Sequence, residues 1–212
     1  MTAPPPVIDT SEGGPGSPGG AAVRADPLTR LDELVDALFD PVRGHRGLDV
    51  TAAIVSNLAD YGFVWAVAAA VKARRAGPSR ARAVGALAWS GVTSAAANRL
   101  VKELVRRERP ESRSAAGSPL LVRPPRSSSF PSGHTLAAFS TAIVLADTPV
   151  QTAGFVGFAA AVAVSRVHLR AHHPSDVVGG AVIGTALGLS VRRLRRRPRG
   201  VPGGRPGRAA RE

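Results

Sequence analysis

The segment VVGGAVIGTALGLSV, residues 177–191, places glycine at positions 180, 184 and 188. A four-residue repeat puts all three on one face of an α-helix. In a soluble helix each would cost about 1 kcal/mol relative to alanine. Three such costs on one face point to a contact that needs them. Small residues let a neighbouring helix backbone approach closely, the way helices pack inside membranes. The segment therefore predicts one member of a helical bundle in a bilayer.

Four further apolar segments precede it, at about Val50–Val71, Ala83–Val101, Thr135–Ala146 with flanks, and Val150–Val164. A bilayer crossing takes roughly 17–25 mostly apolar residues. The first, second and fourth approach that length, whereas the third and the Val177–Val191 segment are short. Asn57, Asp60 and Asn98 interrupt the first two. Five such segments separated by short polar turns favour a membrane bundle over a soluble helical core. The expected fold class is all-α: a membrane-embedded bundle of about five transmembrane helices plus an N-terminal amphipathic helix. That helix follows the cap-and-proline pair Asp26-Pro27. Leu28, Leu31, Leu34, Val35, Leu38 and Phe39 fall on one of its faces, and Arg30, Asp32, Glu33 and Asp36 on the other. It reads as a helix lying on a surface or a membrane interface.

The chain has 212 residues, enough for one domain with tails. It carries 28 Lys and Arg against 15 Asp and Glu, a net charge of +13, and no cysteine. Disulfide and thiol chemistry are therefore excluded. The positive excess suits a nucleic acid, an anionic lipid surface or a phosphate substrate. Residues 1–26 are rich in Pro, Gly and Ser around GGPGSPGG and predict a disordered tail. They lack the basic start and apolar run of a signal peptide. Residues 192–212, RRLRRRPRGVPGGRPGRAARE, predict a second, basic, disordered tail. The membrane domain is expected between them, over residues 27–191.

Charge also orients the bundle. The loop KARRAGPSRAR, residues 72–82, has five basic residues and no acid, and the C-terminal tail is basic too. The positive-inside rule puts both in the cytoplasm. Four crossings separate them, so the parity agrees, and the loops 102–131 and 165–176 fall together on the outer side. The first 40 residues, with seven acids and two arginines, belong there as well. One fact conflicts: residues 102–131 carry seven Lys and Arg, which resist export unless they have a task.

Three polar pieces supply the task. KELVRRERP spans Lys102–Pro110, SFPSGHT spans Ser129–Thr135, and SRVHLRAHHPSD spans Ser165–Asp176. Alone, each reads as a basic helix end, a helix start with Ser132 as N-cap, or a polar turn with an i,i+4 histidine pair. Together, at the ends of apolar segments and on one face, they form the parts of a phosphoryl-transfer site. Fixed cations and backbone donors stabilise the charge that spreads over the phosphoryl oxygens. Lys102, Arg109 and Arg166 supply cations, and the helix beginning near Ser132 supplies N–H groups and dipole. Ser132 adds a hydroxyl, and Gly133 lets the backbone come close. His172 is a candidate nucleophile, with Asp176 four residues on to hold one ring nitrogen. His134 is a candidate proton donor to the leaving oxygen. Nothing in this set requires a metal.

The pieces K-x6-RP, PSGH and SR-x5-H-x3-D, in this order and at helix ends, resemble the type 2 phosphatidic acid phosphatase family. That family shares its site with bacterial acid phosphatases and vanadium haloperoxidases. The resemblance covers about residues 50–190 and rests on Lys102, Arg109, Pro110, Pro131, Ser132, Gly133, His134, Ser165, Arg166, His172 and Asp176. It implies an all-α core, no metal or other cofactor, and a covalent phosphohistidine intermediate. It makes His172 the nucleophile, Asp176 its orienter and His134 the general acid. Lys102, Arg109, Ser132, Gly133 and Arg166 become the phosphate binders. His168 and His173 fall outside the pattern and read as bystanders; Arg106 and Arg107 lie between motif residues as possible added charge. The implied partners are a lipid phosphate, of phosphatidic acid or polyprenyl diphosphate type, and the bilayer, with no nucleic acid. The implied location is the cell membrane, multi-pass, with the site on the extracytoplasmic side.

Rival readings use the same residues. A non-lipid acid phosphatase or a vanadium haloperoxidase would share the motif, but five apolar segments argue against an exported soluble enzyme. A metal site built from His134, His168, His172 and His173 has suitable ligand types, yet leaves the lysine and arginines unexplained. A basic module that only binds membrane or nucleic acid would depend on residues 192–212.

Overall fold

The structure is a computed structural model that describes residues 26–60, 63–75, 80–110 and 127–196. Most of both expected tails, and part of the 72–82 loop, lie outside the described residues. Those described form seven helices and no strand. They are α1 (Pro27–Ala37), α2 (Arg46–Asp60), α3 (Phe63–Arg75), α4 (Arg80–Val105), α5 (Gly133–Leu145), α6 (Pro149–His168) and α7 (Pro174–Arg196). Helix α7 runs five residues beyond the expected boundary at Val191, so the first arginines of the basic run are helical.

Helices α5 and α7 run parallel, and the glycine stripe joins them. A Cβ on Gly180 would come 2.7 Å from the Ser132 carbonyl oxygen, and one on Gly188 2.7 Å from that of Ser140. At Gly184 the same atom would lie 2.3 Å from the Leu136 carbonyl oxygen. Each step of four along α7 thus meets a step of four along α5. No side chain fits between the two backbones. Helix α4 answers with its own small residues: Ala86, Ser90 and Ser94 are buried on one face, and Ser90 Oγ lies 2.8 Å from Ser140 Oγ. On the other side of α5, Trp65 of α3 meets Phe158 of α6 edge-on at 5.5 Å beside Ala138, Ala142 and Val162.

Polarity is distributed as a membrane bundle requires. Ser56, Ser90, Ser140, Arg166 and Asp176 are buried, whereas Trp89, Val92, Val150, Val164, Val178 and Val182 are exposed on the perimeter. Helices α6 and α7 are each long and apolar enough to cross a bilayer. Helices α2 and α3, bent 53° apart, make a third span if taken together. By length and composition the described helices therefore give two or three spans, fewer than the five expected from sequence. Helix α5 explains part of the difference. Its 13 residues rise roughly 20 Å, too short to cross alone, but it is enclosed by α4, α6 and α7.

Helix α1 has its faces reversed relative to a soluble helix. Asp26 caps it through a 2.9 Å bond from Leu28 N, as expected. Asp32, on the polar face, is only 2% exposed and points into the protein. Leu28, Leu31, Leu34 and Leu38 point outward, Leu38 being 74% exposed. An outward apolar face suits a helix resting on lipid.

Candidate active site

One end of the bundle gathers the C-terminal ends of α4 and α6 with the N-terminal ends of α5 and α7. The three polar pieces meet there, as their shared face required. Ser132 N donates to the Asp176 carbonyl at 3.0 Å, and Ser129 N donates to the Arg107 carbonyl at 2.8 Å. The segment before α5 is thus tied on one side to α7 and on the other to the end of α4. The first-turn N–H groups of a helix have no intrahelical acceptor. Those of α5 therefore sit beside the cations that follow α4.

A cavity of about 310 Å³ opens at this end, lined among others by Lys102, Arg109, Gly133, His134, Arg166 and His172. Six of the eight residues assigned to the site from sequence therefore face one space. The other two stand behind it. Ser132 is fully buried, and its hydroxyl accepts from Thr135 Oγ1 at 3.0 Å rather than lining the cavity. Asp176 is fully buried beneath His172. A wider outer chamber of about 780 Å³ shares Asn98, Lys102, Arg109 and Ser127 with the inner cavity and connects it to the surface.

His172 is 2% exposed, and its two nitrogens have different surroundings. Nδ1 lies 2.8 Å from the Ser129 carbonyl oxygen, which can only accept. Nδ1 therefore carries the proton, and Nε2 keeps its lone pair. Nε2 lies 3.2 Å from Nη1 of Arg109. The carboxylate of Asp176 is 3.8 Å from Nδ1, beyond hydrogen-bond distance. The expected orienter thus acts at one remove: Asp176 Oδ2 accepts from the Ser129 hydroxyl and from His173 N at 2.9 Å, bracketing the imidazole. Burial, reinforced by the Arg109 and Arg166 guanidinium groups, pushes the His172 pKa down to about 4 against the opposing pull of Asp176. The ring is neutral at pH 7, as a nitrogen nucleophile must be.

The cations are held in place by oxygen acceptors. Arg109 donates to the carbonyls of Ala171 at 2.6 Å, Ser127 at 3.2 Å and Ser128 at 3.4 Å. Arg166, 1% exposed, donates to Ser56 Oγ. Lys102 Nζ donates to Ser127 Oγ at 3.2 Å. Arg107 does something sequence reasoning missed. Its Nη1 donates to Asp176 Oδ1 at 2.8 Å and to Ser175 Oγ at 2.6 Å, while Nη2 donates to Asp32 Oδ2 at 2.5 Å. Asp32 also accepts from Ser175 N at 2.7 Å. Burial alone would raise the Asp32 carboxyl, but hydrogen bonds from Arg107 and Ser175 leave it below the ordinary carboxylate value. Helix α1 is thereby pinned to the carboxylate behind the imidazole.

The histidines do not converge as a metal site would require. His168 faces away, with Nε2 2.7 Å from Asp49 Oδ1 and its ring edge-on to Phe39. Among the described residues, no three His, Cys, Asp or Glu side chains are grouped to hold a metal ion.

Residues 82–199 match the PAP2 superfamily. A decaprenylphosphoryl-5-phosphoribose phosphatase of Mycolicibacterium smegmatis is 32% identical over 152 residues, covering 70% of this chain and 80% of that protein. The Mycobacterium tuberculosis protein of the same name is 30% identical over 145 residues, covering 68% and 79%. Among solved structures, a transmembrane PAP2-type phosphatidylglycerolphosphate phosphatase from Bacillus subtilis superposes with a TM-score of 0.66 at 23% identity, covering 82% of this chain and 89% of that one. It supports the same helical fold. The chain belongs to the PAP2 superfamily, and it is a phosphatase.

Proposed function

We propose that this chain is an integral membrane lipid phosphate phosphatase that cleaves a phosphomonoester or diphosphate through a phosphohistidine on His172, without a metal. His172 Nε2 attacks phosphorus, and the bond to the leaving oxygen breaks as His134 gives that oxygen a proton. Lys102, Arg109 and Arg166, with the first-turn N–H groups of α5 at Gly133, bear the negative charge of the transition state. Water then attacks phosphorus, His134 takes its proton, the P–N bond breaks and phosphate leaves. Ser132 serves through its backbone, and Asp176 holds the Nδ1-protonated ring. The observation that carries this reading is the placement of His172, with Nδ1 2.8 Å from the Ser129 carbonyl oxygen and Nε2 3.2 Å from Arg109, in a cavity lined by cations and by His134.

The relatives named above are phosphatases of a polyprenyl-linked phosphosugar and of a phosphatidylglycerol phosphate. Both substrates carry the phosphate on a lipid, and a bundle with its site at one end suits such a molecule. The site end faces the extracytoplasmic side, with the basic 72–82 loop and the C-terminal run opposite.

The test is turnover of phosphatidate, phosphatidylglycerol phosphate, polyprenyl monophosphate and polyprenyl diphosphate by detergent-purified protein with EDTA present. Acid quenching would trap labelled phosphoenzyme. Turnover with chelator, inhibition by vanadate, and label that disappears in His172→Ala are expected. Loss of activity in EDTA, restored by magnesium or zinc, overturns the metal-free mechanism. Label that persists in His172→Ala moves the nucleophile elsewhere.

A further inference from the structure

Asp32 and Arg107 have no part in the mechanism above. Arg107 fills an unspecified position of K-x6-RP, and Asp32 stands in α1, ahead of residues 82–199 that match the PAP2 superfamily. Yet both reach the back of His172. Asp176 is fully buried, and both of its oxygens are engaged. Oδ1 accepts from Arg107 Nη1 at 2.8 Å; Oδ2 accepts from the Ser129 hydroxyl and from His173 N at 2.9 Å. The other arm of the same guanidinium, Nη2, donates to Asp32 at 2.5 Å. The Arg107 backbone closes the frame. Its carbonyl accepts from Ser129 N at 2.8 Å, and the Ser129 carbonyl is the acceptor for His172 Nδ1.

Asp32 has a second hold on the same frame. Its Oδ1 accepts from Ser175 N at 2.7 Å and its Oδ2 from Ser175 Oγ at 2.7 Å. Ser175 lies in the first turn of α7, where N–H groups lack intrahelical acceptors. A carboxylate there also meets the positive end of the helix dipole. Asp32 thus caps α7 from another helix, at the residue next to Asp176.

Charge gives this frame a use beyond fastening α1. Apolar side chains would attach a helix without the cost of burying ions. Arg107 is one cation between two buried carboxylates, so the three groups together keep one negative charge. Without the Asp32 charge, the guanidinium would cancel Asp176, and the imidazole would face a neutral ion pair. The reaction needs the opposite. As Nε2 gives its lone pair to phosphorus and the P–O bond to the leaving group breaks, the ring keeps its Nδ1 proton and becomes positive. The Arg109 and Arg166 guanidinium groups disfavour that charge. A net negative charge behind the ring favours it, and favours it more in the transition state than in the neutral ground state.

We infer that Asp32 and Arg107 are positioning residues of the phosphoryl-transfer site: Asp32 shares the Arg107 guanidinium with Asp176, so that the carboxylate behind His172 is held in place without being neutralised. The inference rests on the phosphohistidine reading above. It makes α1 part of the active site, since the helix whose leucines face outward carries the second carboxylate.

The test uses full-length protein in detergent, with p-nitrophenyl phosphate as substrate and vanadate and inorganic phosphate as inhibitors. Vanadate takes up a fifth ligand, so its binding draws on the Nε2 lone pair and places positive charge on the ring. Inorganic phosphate binds as an ion and draws on the cavity cations. Asp32→Asn keeps the shape and an acceptor for Ser175 N but removes the charge. It is expected to lower kcat/KM about 10- to 100-fold, the usual size for a group that acts through the partner of a functional histidine. The vanadate inhibition constant should rise by a similar factor, while that of phosphate stays within about threefold. Arg107→Lys keeps a cation but loses the fork that reaches both carboxylates; it should weaken vanadate over phosphate in the same way, and reads the same ratio should Asp32→Asn not yield folded protein. Equal weakening of both ions overturns the assignment, as does a fall in melting temperature with kcat/KM and both inhibition constants kept. Asp32 would then only fasten α1, and the phosphatase reading would stand. No turnover by wild type, with no trapped phosphoenzyme, removes the phosphohistidine reading and the positioning pair with it.

Discussion

Both ends of this bundle are basic, yet their positive charges meet opposite ends of α5. At one end Lys102, Arg109 and Arg166 gather beside its first turn and line a cavity. At the other, Arg192 Nη1 donates to the Ile143 carbonyl at 3.2 Å and Arg195 Nη1 to that of Val144 at 3.4 Å. Lys72 donates to the Leu145 carbonyl and pairs with Asp147 at 2.6 Å. A helix C-terminus carries partial negative charge and accepts cations; an N-terminus carries partial positive charge and repels them. The three far-end cations are therefore neutralised by the fold itself. At the site end the α5 dipole adds to cations of which two, Lys102 and Arg166, stand in the last turns of α4 and α6, and the cavity they line calls for an anion. Net charge alone, +13, cannot separate these cases. Position along a helix can.

The comparison breaks most visibly at Lys102. Among the described residues its ammonium makes one hydrogen bond, to Ser127, so Lys102→Met keeps the stem and removes little structure. The variant should lose about 10²- to 10³-fold in kcat/KM, the size typical of deleting one group that stabilises transition-state charge. Its melting temperature in detergent should change little. A large fall in melting temperature with activity kept would mean that the site-end cations are structural, like those at the far end.

Burial, with the same field added to it, acts on His172. Its native pKa, about 4, lies below the ordinary value of 6.5. Between pH 6.5 and 4 the unfolded chain holds the His172 proton and the native protein does not. Stability is therefore lost as pH falls through that window, by roughly 3 kcal/mol at about 1.36 kcal/mol per unit. His172→Gln should flatten that part of a melting-temperature profile. In kcat/KM with an aryl phosphate, the acid limb owed to His172 should lie near 4. A limb near 6.5 would mean that neither burial nor the arginines hold the imidazole neutral.

Between the two ends, the α5–α7 contact sets their spacing. Gly184→Ala places a methyl against the Leu136 carbonyl and should destabilise by about 1–3 kcal/mol, as overpacking does. Gly157→Ala in α6, with nothing within 4 Å of the new atom, should be neutral or stabilising by up to about 1 kcal/mol. Thermal melts of the pair in one detergent compare them. Equal effects would show that the stripe is not a close backbone contact.

That stripe was legible because glycine at a four-residue period has one structural use. The cations and histidines were legible because each stands at the end of an apolar run, where charge has no packing role. Asp32 was not. Its helix periodicity was plain, but period alone does not say which face meets protein and which meets lipid, and in a membrane protein the polar face can be the inner one. Arg107 was hidden for a related reason. Four basic residues lie within KELVRRERP, and only the left-handed turn at Arg106 (φ 46°) and the path of residues 127–132 decide which reach the cavity. Ser129 was missed because its contact with the imidazole runs through a carbonyl, which every residue has. The length of α5 was not legible: it is short and apolar, and it is enclosed by α4, α6 and α7.

The smallest effect expected is at the far end. Arg192→Ala removes one of the cations that meet the α5 carbonyls. A charge at a helix C-terminus contributes typically 0.3–1 kcal/mol, so the melting temperature should fall slightly while kcat and KM stay at wild-type values. Arg192→Glu puts like charge against the carbonyls and should cost more, still without changing KM. Added salt should shrink the gap between the two variants, because half-buried charges near the surface are partly screened. The result that matters is the pairing with Lys102→Met: one substitution moves rate and not stability, the other stability and not rate. If Arg192→Glu raised KM for a lipid phosphate in anionic vesicles but not in neutral detergent, the far-end cations would also be gathering substrate at the membrane surface. The division between the two ends would then be one of degree.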